Sequence, residues 1–440
     1  MKYAITTLGC KVNQFETQAI ETMLAERGFV CSADGDADVV IVNTCAVTAE
    51  SGRKSRQAVR RLKSENPGAA VAVCGCFSQL CPEELDALGA DIVCGSGDRR
   101  RLVSDIEAFF TAREKVRNVD DPFSRRVFEP LPPGALEGRT RAYLKIQDGC
   151  DNFCSYCVIP YARGGVRSLP AETAAAQAGE LAARGYREIV VTGIEIASYG
   201  KDLRDGTVLA DVVESISSAA PEARLRLGSL EPTVVTEEFC RRLAACGNVC
   251  PHFHLSLQSG CDRTLSAMCR RYDTARFFES AALLRTYFPG CALTADMICG
   301  FPGETEEDHA ASLAFIRRCA FSSMHIFPYS ARPGTRAAAM DGQLPRAEKE
   351  RRAHQAKAAA AEMQRSFLLA QVGRTLPVLF ENENGGLWHG HADNYVKVAA
   401  PGQELHGQIR EVRITAVEGL ELLGSILPAG PEAQGHLFKH

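Results

Sequence analysis

The stretch IQDGCDNFCSYCVIPYARG, residues 146–164, decides how the rest of the chain is read. It spaces Cys150, Cys154 and Cys157 as CxxxCxxC. Three thiolates so close in sequence can converge on one metal centre, and soft sulfur ligands select Zn, Cu(I) or iron–sulfur clusters. A structural Zn site wants a fourth Cys or His nearby, and the nearest downstream His is His252. Three ligands on a four-iron cube leave one iron open to a small molecule. A structural Zn loop is the competing reading.

Upstream of this stretch, residues 1–115 alternate short apolar runs with helical patterns. Strands are expected at residues 3–7, 37–42, 69–73 and 91–94, and helices at 15–27, 49–63 and 100–110. That alternation implies an open α/β domain with a parallel sheet. Cys10, Cys45 and Cys76 each fall just after a different strand. Ligands of such sheets sit beyond the carboxyl ends of the strands, so these thiols form a second candidate three-cysteine site. Three unrelated buried cysteines are the alternative. The contexts GCKVN, NTCAV and GCFSQ suit turns better than packed strands. The run RKSRQAVRRLK, residues 53–63, is a basic helix, read either as a solvated face or as a phosphate contact.

Residues 116–139 hold Pro122, Pro130, Pro132 and Pro133 and read as a linker. Within residues 140–345, six strands are expected at 142–147, 188–192, 225–228, 252–257, 293–299 and 323–328, with helices between them. Six βα units suit an open, partial barrel, with active groups at the carboxyl ends of the strands. The strand ends offer Gly193, Ser229, Glu231, Ser256, Gln258 and Gly300 as cofactor contacts. Gly300 is equally explained by a tight turn, and Glu304 to Asp308 by acidic helix capping. Arg163 and Arg167 are read as partners of a carboxylate or phosphate, or as surface charges.

Residues 346–369 read as a connecting helix and 370–428 as a small β-barrel of period-two strands; 429–440 read as a disordered tail in which His436 and His440 form no metal pattern. Trp388, His389, His391, Asn394, Tyr395 and Lys397 offer aromatic and basic groups for RNA bases and phosphates. The alternative is that Trp388 serves the barrel's own core.

Composition bounds the class. The chain has 440 residues, 45% hydrophobic and 24% charged, which suits a soluble protein of several domains. A net charge of −4 argues against a generally basic nucleic-acid binder, so RNA contact must come from local patches. Neither a membrane nor DNA is an expected partner. The opening MKYAITTLGC has no apolar signal region, so the 18 cysteines are expected to be reduced thiols and metal ligands in the cytoplasm. Cys240, Cys246, Cys250, Cys269 and Cys319 are read as small buried hydrophobes.

The CxxxCxxC stretch, with Phe153 and Tyr156 before its second and third cysteines, closely resembles the radical S-adenosylmethionine (SAM) enzymes. The resemblance implies a partial (β/α)6 TIM-like barrel and a [4Fe-4S] cluster on Cys150, Cys154 and Cys157. Its open iron would chelate SAM, whose cleavage gives a 5′-deoxyadenosyl radical. Gly9-Cys10-Lys11-Val12-Asn13, Asn43-Thr44-Cys45-Ala46 and Gly75-Cys76 resemble the N-terminal domain of the radical-SAM methylthiotransferases. There, the corresponding cysteines hold an auxiliary [4Fe-4S] cluster. Cys76 is chosen over Cys74 because the family pattern is Gly-Cys followed shortly by Gln, here Gln79. The C-terminal region resembles the TRAM domain, an OB-like barrel.

Three branches are known. One acts on isopentenyladenosine in tRNA, one on an aspartate of a ribosomal protein, and one on threonylcarbamoyladenosine (t6A) at tRNA position 37. CKVNQ around Cys10 looks like the t6A branch; the others usually read CQMN and CPKN. The resemblance thus implies an enzyme that replaces the adenine C2–H of t6A in the anticodon loop by S–CH3, with two clusters, SAM, and an electron donor such as flavodoxin or ferredoxin. Lys11 is the candidate cation for the t6A carboxylate, or else a solvated loop lysine. Two readings from other classes stand beside it: an iron–sulfur RNA-binding redox sensor without catalysis, and a zinc protein.

Overall fold

The computed structural model describes residues 1–32, 36–134 and 140–428. The expected tail, with His436 and His440, lies outside the described residues, as do 135–139 of the expected linker.

The N-terminal strands are β1 (Lys2–Thr7), β2 (Val30–Cys31), β3 (Val39–Thr44), β4 (Ala70–Gly75), β5 (Ile92–Cys94) and β6 (Val116–Asn118). They form one parallel sheet in the order β2-β1-β3-β4-β5-β6. The central strands VVIVNT and AVAVCG are buried throughout, as a parallel sheet covered on both faces requires. β2 and β6 escaped the sequence pattern because two or three residues show no period. β6 lies in the stretch read as linker, so the sheet reaches Asn118. Beyond it, Arg125 fastens the chain back onto the domain, donating to Ser96 Oγ and Gln79 Oε1, each at 2.8 Å.

The central region contributes β7 (Arg141–Lys145), a short antiparallel pair β8 (Gln147–Asp148) and β9 (Arg167–Ser168), then β10 (Glu188–Thr192), β11 (Arg224–Leu227), β12 (Ser229–Leu230), β13 (His252–Gln258), β14 (Ala292–Cys299) and β15 (Ser323–Pro328). Its parallel ladders run β11-β10-β7 and β12-β13-β14-β15. β11 and β12 are two halves of one course of chain, interrupted at Gly228, so the ladders make six consecutive staves of an open barrel. Both bare edges are covered: the Lys11–Glu26 helix packs on β7, and the Arg346–Leu369 helix packs on β15 and β14.

Burial alternates along the staves. Phe253, Leu255 and Leu257 of β13 join the apolar cluster that includes Phe277 and Leu284 of the Thr274–Tyr287 helix. Between them, His254, Ser256 and Gln258 are only half-buried and point to the opposite face, the barrel interior. The interior of this barrel is therefore polar.

The C-terminal strands β16 (Thr375–Asn384), β17 (Leu387–Ala392), β18 (Lys397–Ala400), β19 (Ile409–Glu418) and β20 (Glu421–Ile426) close into a five-stranded barrel in the order β16-β17-β18-β20-β19. Trp388 packs against its apolar cluster. Three residues read as RNA contacts are spent elsewhere. Tyr395 lies under the Arg226 guanidinium, 4.6 Å from its ring centroid, and 5.0 Å from the His252 ring. His391 stacks on Tyr395 at 4.8 Å and hydrogen-bonds Glu381 Oε1 at 2.5 Å. Asn394 is buried and donates to Gln371 Oε1 at 3.2 Å. Arg224 and Arg226 complete the joint by donating to the His391 and Asp393 carbonyls, at 2.9 and 2.8 Å. Their physical role is to dock the small barrel on the starting ends of β7, β10 and β11.

Candidate active site with two cysteine triplets

Cys10, Cys45 and Cys76 stand at the carboxyl ends of β1, β3 and β4, adjacent strands of one sheet. Two glycines permit their approach. Gly9 has φ +105°, and a Cβ there would fall 2.9 Å from Cys45 Sγ. Gly75 has φ +98°, and its Cβ would fall 2.5 Å from the Thr44 carbonyl oxygen. Polar neighbours then knit the loops: Asn13 Nδ2 donates to the Thr44 carbonyl at 3.0 Å, and Asn43 Nδ2 to the Asn13 carbonyl at 3.0 Å. The Cys76 thiol is pushed up to about 11: burial is the main cause, Arg163 opposes it, and Cys10 and Cys45 are near enough to act in the same direction as burial. Arg163 Nε donates to Cys76 Sγ at 3.2 Å. Cys74 packs in the apolar cluster on the other side of the sheet from Cys76.

Cys150, Cys154 and Cys157 are half-buried on the loop between β8 and the Ile159–Arg163 helix. Burial pushes the Cys157 thiol up to about 12; Cys154 pushes the same way, and so does Cys76 of the other triplet. The two sites thus lie within electrostatic reach of one another. The Cys76–Leu80 helix packs on the Ile159–Arg163 helix, which sets that proximity. Arg270 Nη1 donates to Cys154 Sγ at 3.0 Å, and its Nη2 pairs with Glu231 Oε1 at 2.7 Å. Each triplet therefore has one buried arginine on one of its sulfurs.

A buried charge cluster holds the two regions together. Glu16, on the first helix, takes Arg163, Lys145 Nζ at 2.9 Å and Arg99 Nη2 at 2.8 Å. Asp148 takes Lys145 at 2.8 Å and Arg163 at 3.4 Å. Arg163 and Arg167 are buried, which removes the reading of them as surface charges.

A profile described as uncharacterized protein family UPF0004 matches residues 2–95, and the radical SAM superfamily profile matches residues 144–316. The chain is 38% identical over 419 residues to the threonylcarbamoyladenosine tRNA methylthiotransferase MtaB of Bacillus subtilis (strain 168), covering 93% of each chain. The chain belongs to the radical-SAM methylthiotransferases. It is also 33% identical to the tRNA-2-methylthio-N(6)-dimethylallyladenosine synthase of Syntrophomonas wolfei subsp. wolfei, over 97% of this chain and 98% of that one. Among solved structures, the radical S-adenosylmethionine methyltransferase TsrM from Kitasatospora setae shares the fold with a TM-score of 0.58 at 17% identity, covering 77% of each chain.

The donor sets of this methylthiotransferase fit two iron–sulfur clusters. Each site offers three sulfurs, and a guanidinium N–H bonded to sulfur favours thiolate over thiol. The surrounding strand ends are occupied as follows. Glu231 accepts from Asn152 Nδ2 at 2.9 Å as well as from Arg270. Gly193 lies against Gln147, whose carbonyl and Oε1 would each be 2.9 Å from a Cβ there. Ser229 is exposed, and the Ser256 carbonyl receives the Tyr272 hydroxyl. Gln258 sits at φ +65°. Gly300 is placed as a turn: its N–H donates to Glu304 Oε1 at 3.1 Å beneath the Lys349 stem. Glu304 is no cap. It forms a buried pair with Arg352 at 2.8 Å, and Thr305 and Asp308 form the capping box.

Three interior residues escaped the sequence reading. His254, Asp296 and His325 hold their ligand atoms within 4.8 Å of one another. His325 Nδ1 lies 3.2 Å from Asp296 Oδ1, and His254 Nε2 lies 3.4 Å from Asp296 Oδ2. The signal was present in the alternation of HFHLSLQ and in an acid at mid-strand in ALTADMIC. Three of the six cations of the basic run on the Ala49–Glu65 helix pair within the chain: Arg53 with Glu50, Arg56 with Glu84 at 3.2 Å, and Arg61 with Glu65 at 3.9 Å. For those three the pairing favours the solvated-face reading.

Proposed function

We propose that this methylthiotransferase acts on tRNA and converts t6A at position 37 of the anticodon loop to its 2-methylthio derivative. The observation that carries the reading is the position of Lys11. It begins the helix that covers the β7 edge, and its ammonium is near enough to Arg141, Glu188 and Arg226 of the first three staves to interact with them. It also reaches His325 on the last stave, β15. Arg141, Arg224 and Arg226 share the Glu188 carboxylate, and Arg141 also takes Glu381. Among the described residues no carboxylate oxygen comes within 4.0 Å of Lys11 Nζ. A cation left over in a polar interior suits a substrate carboxylate, which t6A has and an isopentenyl group lacks. Curated relatives named for t6A support the same branch.

In this reading Cys150, Cys154 and Cys157 hold the SAM-binding [4Fe-4S] cluster, and Cys10, Cys45 and Cys76 hold the auxiliary one. When bound, the clusters supply the electron for SAM cleavage and the site of sulfur delivery. Gly193, Ser229, Glu231, Ser256 and Gln258 line the strand ends and would be the residues that hold SAM there. Arg270 orients Cys154 and Glu231 together, and Arg163 orients Cys76. Lys11 and the Asp296–His325 pair hold the threonylcarbamoyl group so that the adenine C2–H faces the radical source. The substrate places the reaction in the cytoplasm, with flavodoxin or ferredoxin as one-electron donor.

The test is nucleoside mass spectrometry of tRNA from cells lacking the gene. Loss of 2-methylthio-t6A, with methylthio-isopentenyladenosine intact, is expected. The reverse pattern would move the protein to the isopentenyl branch.

A further inference from the structure

Three large aromatic side chains from three segments meet at the surface beside the CxxxCxxC loop. Phe123 is 38% exposed, Phe153 38% and Tyr161 42%. Phe123 and Phe153 lie nearly parallel, with ring centroids 6.2 Å apart and 12° between planes. Tyr161 stands edge-on to both, at 6.3 and 5.8 Å. Scattered apolar residues are ordinary on a protein surface; a contiguous aromatic patch is not.

The patch is rigidly built. Phe123 belongs to the Pro122–Ser124 turn, which is capped by Asp121 Oδ1 accepting the Phe123 N–H at 3.0 Å. That turn is pressed against Gly164, whose φ of +75° and missing Cβ leave room for the Pro122 carbonyl. Phe153, between ligands Cys150 and Cys154, holds φ +47°, a left-handed conformation rare for an aromatic residue. Tyr161 rides on the Ile159–Arg163 helix.

Cations rim the patch. Arg336 Nη2 donates to the Phe153 carbonyl at 3.2 Å, and Arg271 Nη2 to the Asp151 carbonyl at 3.3 Å. Among the described residues neither guanidinium has a carboxylate oxygen within 4.0 Å. The nearby acids are occupied: Asp121 by its own turn and Asp151 by the Val166 N–H at 3.4 Å.

We infer that Phe123, Phe153 and Tyr161 form a stacking platform for unpaired bases of the RNA loop that flank the target adenosine, with Arg271 and Arg336 taking the adjoining phosphates. The inference rests on the tRNA reading above. An adenine drawn into the barrel leaves its neighbours unstacked, and aromatic faces replace the lost stacking without reading sequence. The platform lies on the loop that carries the cluster ligands, so a base stacked there is one step from the reacting one.

The test uses reconstituted holoenzyme and a fluorescein-labelled anticodon stem-loop, in t6A and unmodified forms. Phe123→Ala combined with Tyr161→Ala should weaken the Kd for both forms alike, by about 10- to 100-fold. Phe123→Trp should retain affinity, and Arg271→Ala should lower the salt dependence of log Kd by about one unit. SAM cleavage by dithionite-reduced enzyme without RNA should stay at the wild-type rate. An unchanged Kd overturns the platform, as does a loss that Phe123→Trp does not spare. Slower reduction by flavodoxin with normal RNA affinity would make the patch a reductant dock. A change of oligomeric state in sedimentation would make it a contact between copies. A failure of the t6A reading alone leaves the loss on the unmodified loop intact.

Discussion

Lys145 Nζ, at the end of the first stave, lies 2.9 Å from Glu16 Oε1 on the first helix of the N-terminal domain. That contact is one of three by which Glu16 neutralises buried cations from β7, from the Ile159–Arg163 helix and from its own domain. Removing it leaves Lys145, Arg163 and Arg99 short of a counter-charge. Glu16→Ala should therefore cost about 3–5 kcal/mol, read as a large fall in the thermal midpoint of the apo-protein. Glu50→Ala, which breaks an exposed pair, should leave the midpoint where it was.

Iron content separates the two cysteine sites. The Cys10, Cys45 and Cys76 triple Ala variant should hold about four irons against about eight in the wild type. It should cleave SAM and transfer no methylthio group. Cys154→Ala should lose reductive SAM cleavage; a normal 5′-deoxyadenosine yield would remove that ligand from the assignment. Cys74→Ala should keep both activities.

Lys11→Met should weaken binding of the t6A stem-loop by about 10- to 100-fold and leave the unmodified loop bound as before. Equal loss on both loops would assign Lys11 to the RNA backbone instead of the carboxylate.

Burial raises Glu195 to about 7, and the neighbouring Glu231 pushes the same way. Below about pH 4.5 folded and unfolded chains both carry the proton. Between about pH 4.5 and 7 the unfolded chain ionises first, so the group's cost to folding grows; above 7 it is constant. Glu195→Gln keeps an acceptor for the Ala197 N–H, which Glu195 now receives at 3.3 Å. It should stabilise the apo-protein by up to about 3 kcal/mol near pH 8 and by little near about pH 4, measured by urea unfolding at both values.

Tyr395→Ala should loosen the docking of the small barrel without lowering RNA affinity. Faster proteolysis between the Arg346–Leu369 helix and β16 is the expected sign. A selective loss of RNA binding with unchanged proteolysis would return Tyr395 to the RNA-facing role.

The architecture was legible where pattern is long. VVIVNT, AVAVCG and HFHLSLQ have the length and apolar content that define buried or half-buried strands, and all six staves fall where the sequence placed them. The cysteine loops were legible from Gly, Asn and Thr around each thiol, and those residues turn out to shape and bond the loops. What stayed hidden were partnerships over long sequence distance. Glu16 and Arg163 are 147 residues apart, and Arg270 and Cys154 are 116 apart. No local period marks such pairs. Exposed and buried aromatics also read alike in one dimension, so His391 and Tyr395 look like an RNA face in the sequence while Phe123 does not stand out.

Tyr395 has a consequence for traffic. Seated under Arg226 beside His252, it stands at the starting ends of the staves, where the small barrel is docked. On the tRNA reading proposed above, RNA and SAM would both approach from the cysteine end, and a tRNA slow to leave would delay the reloading of cofactor.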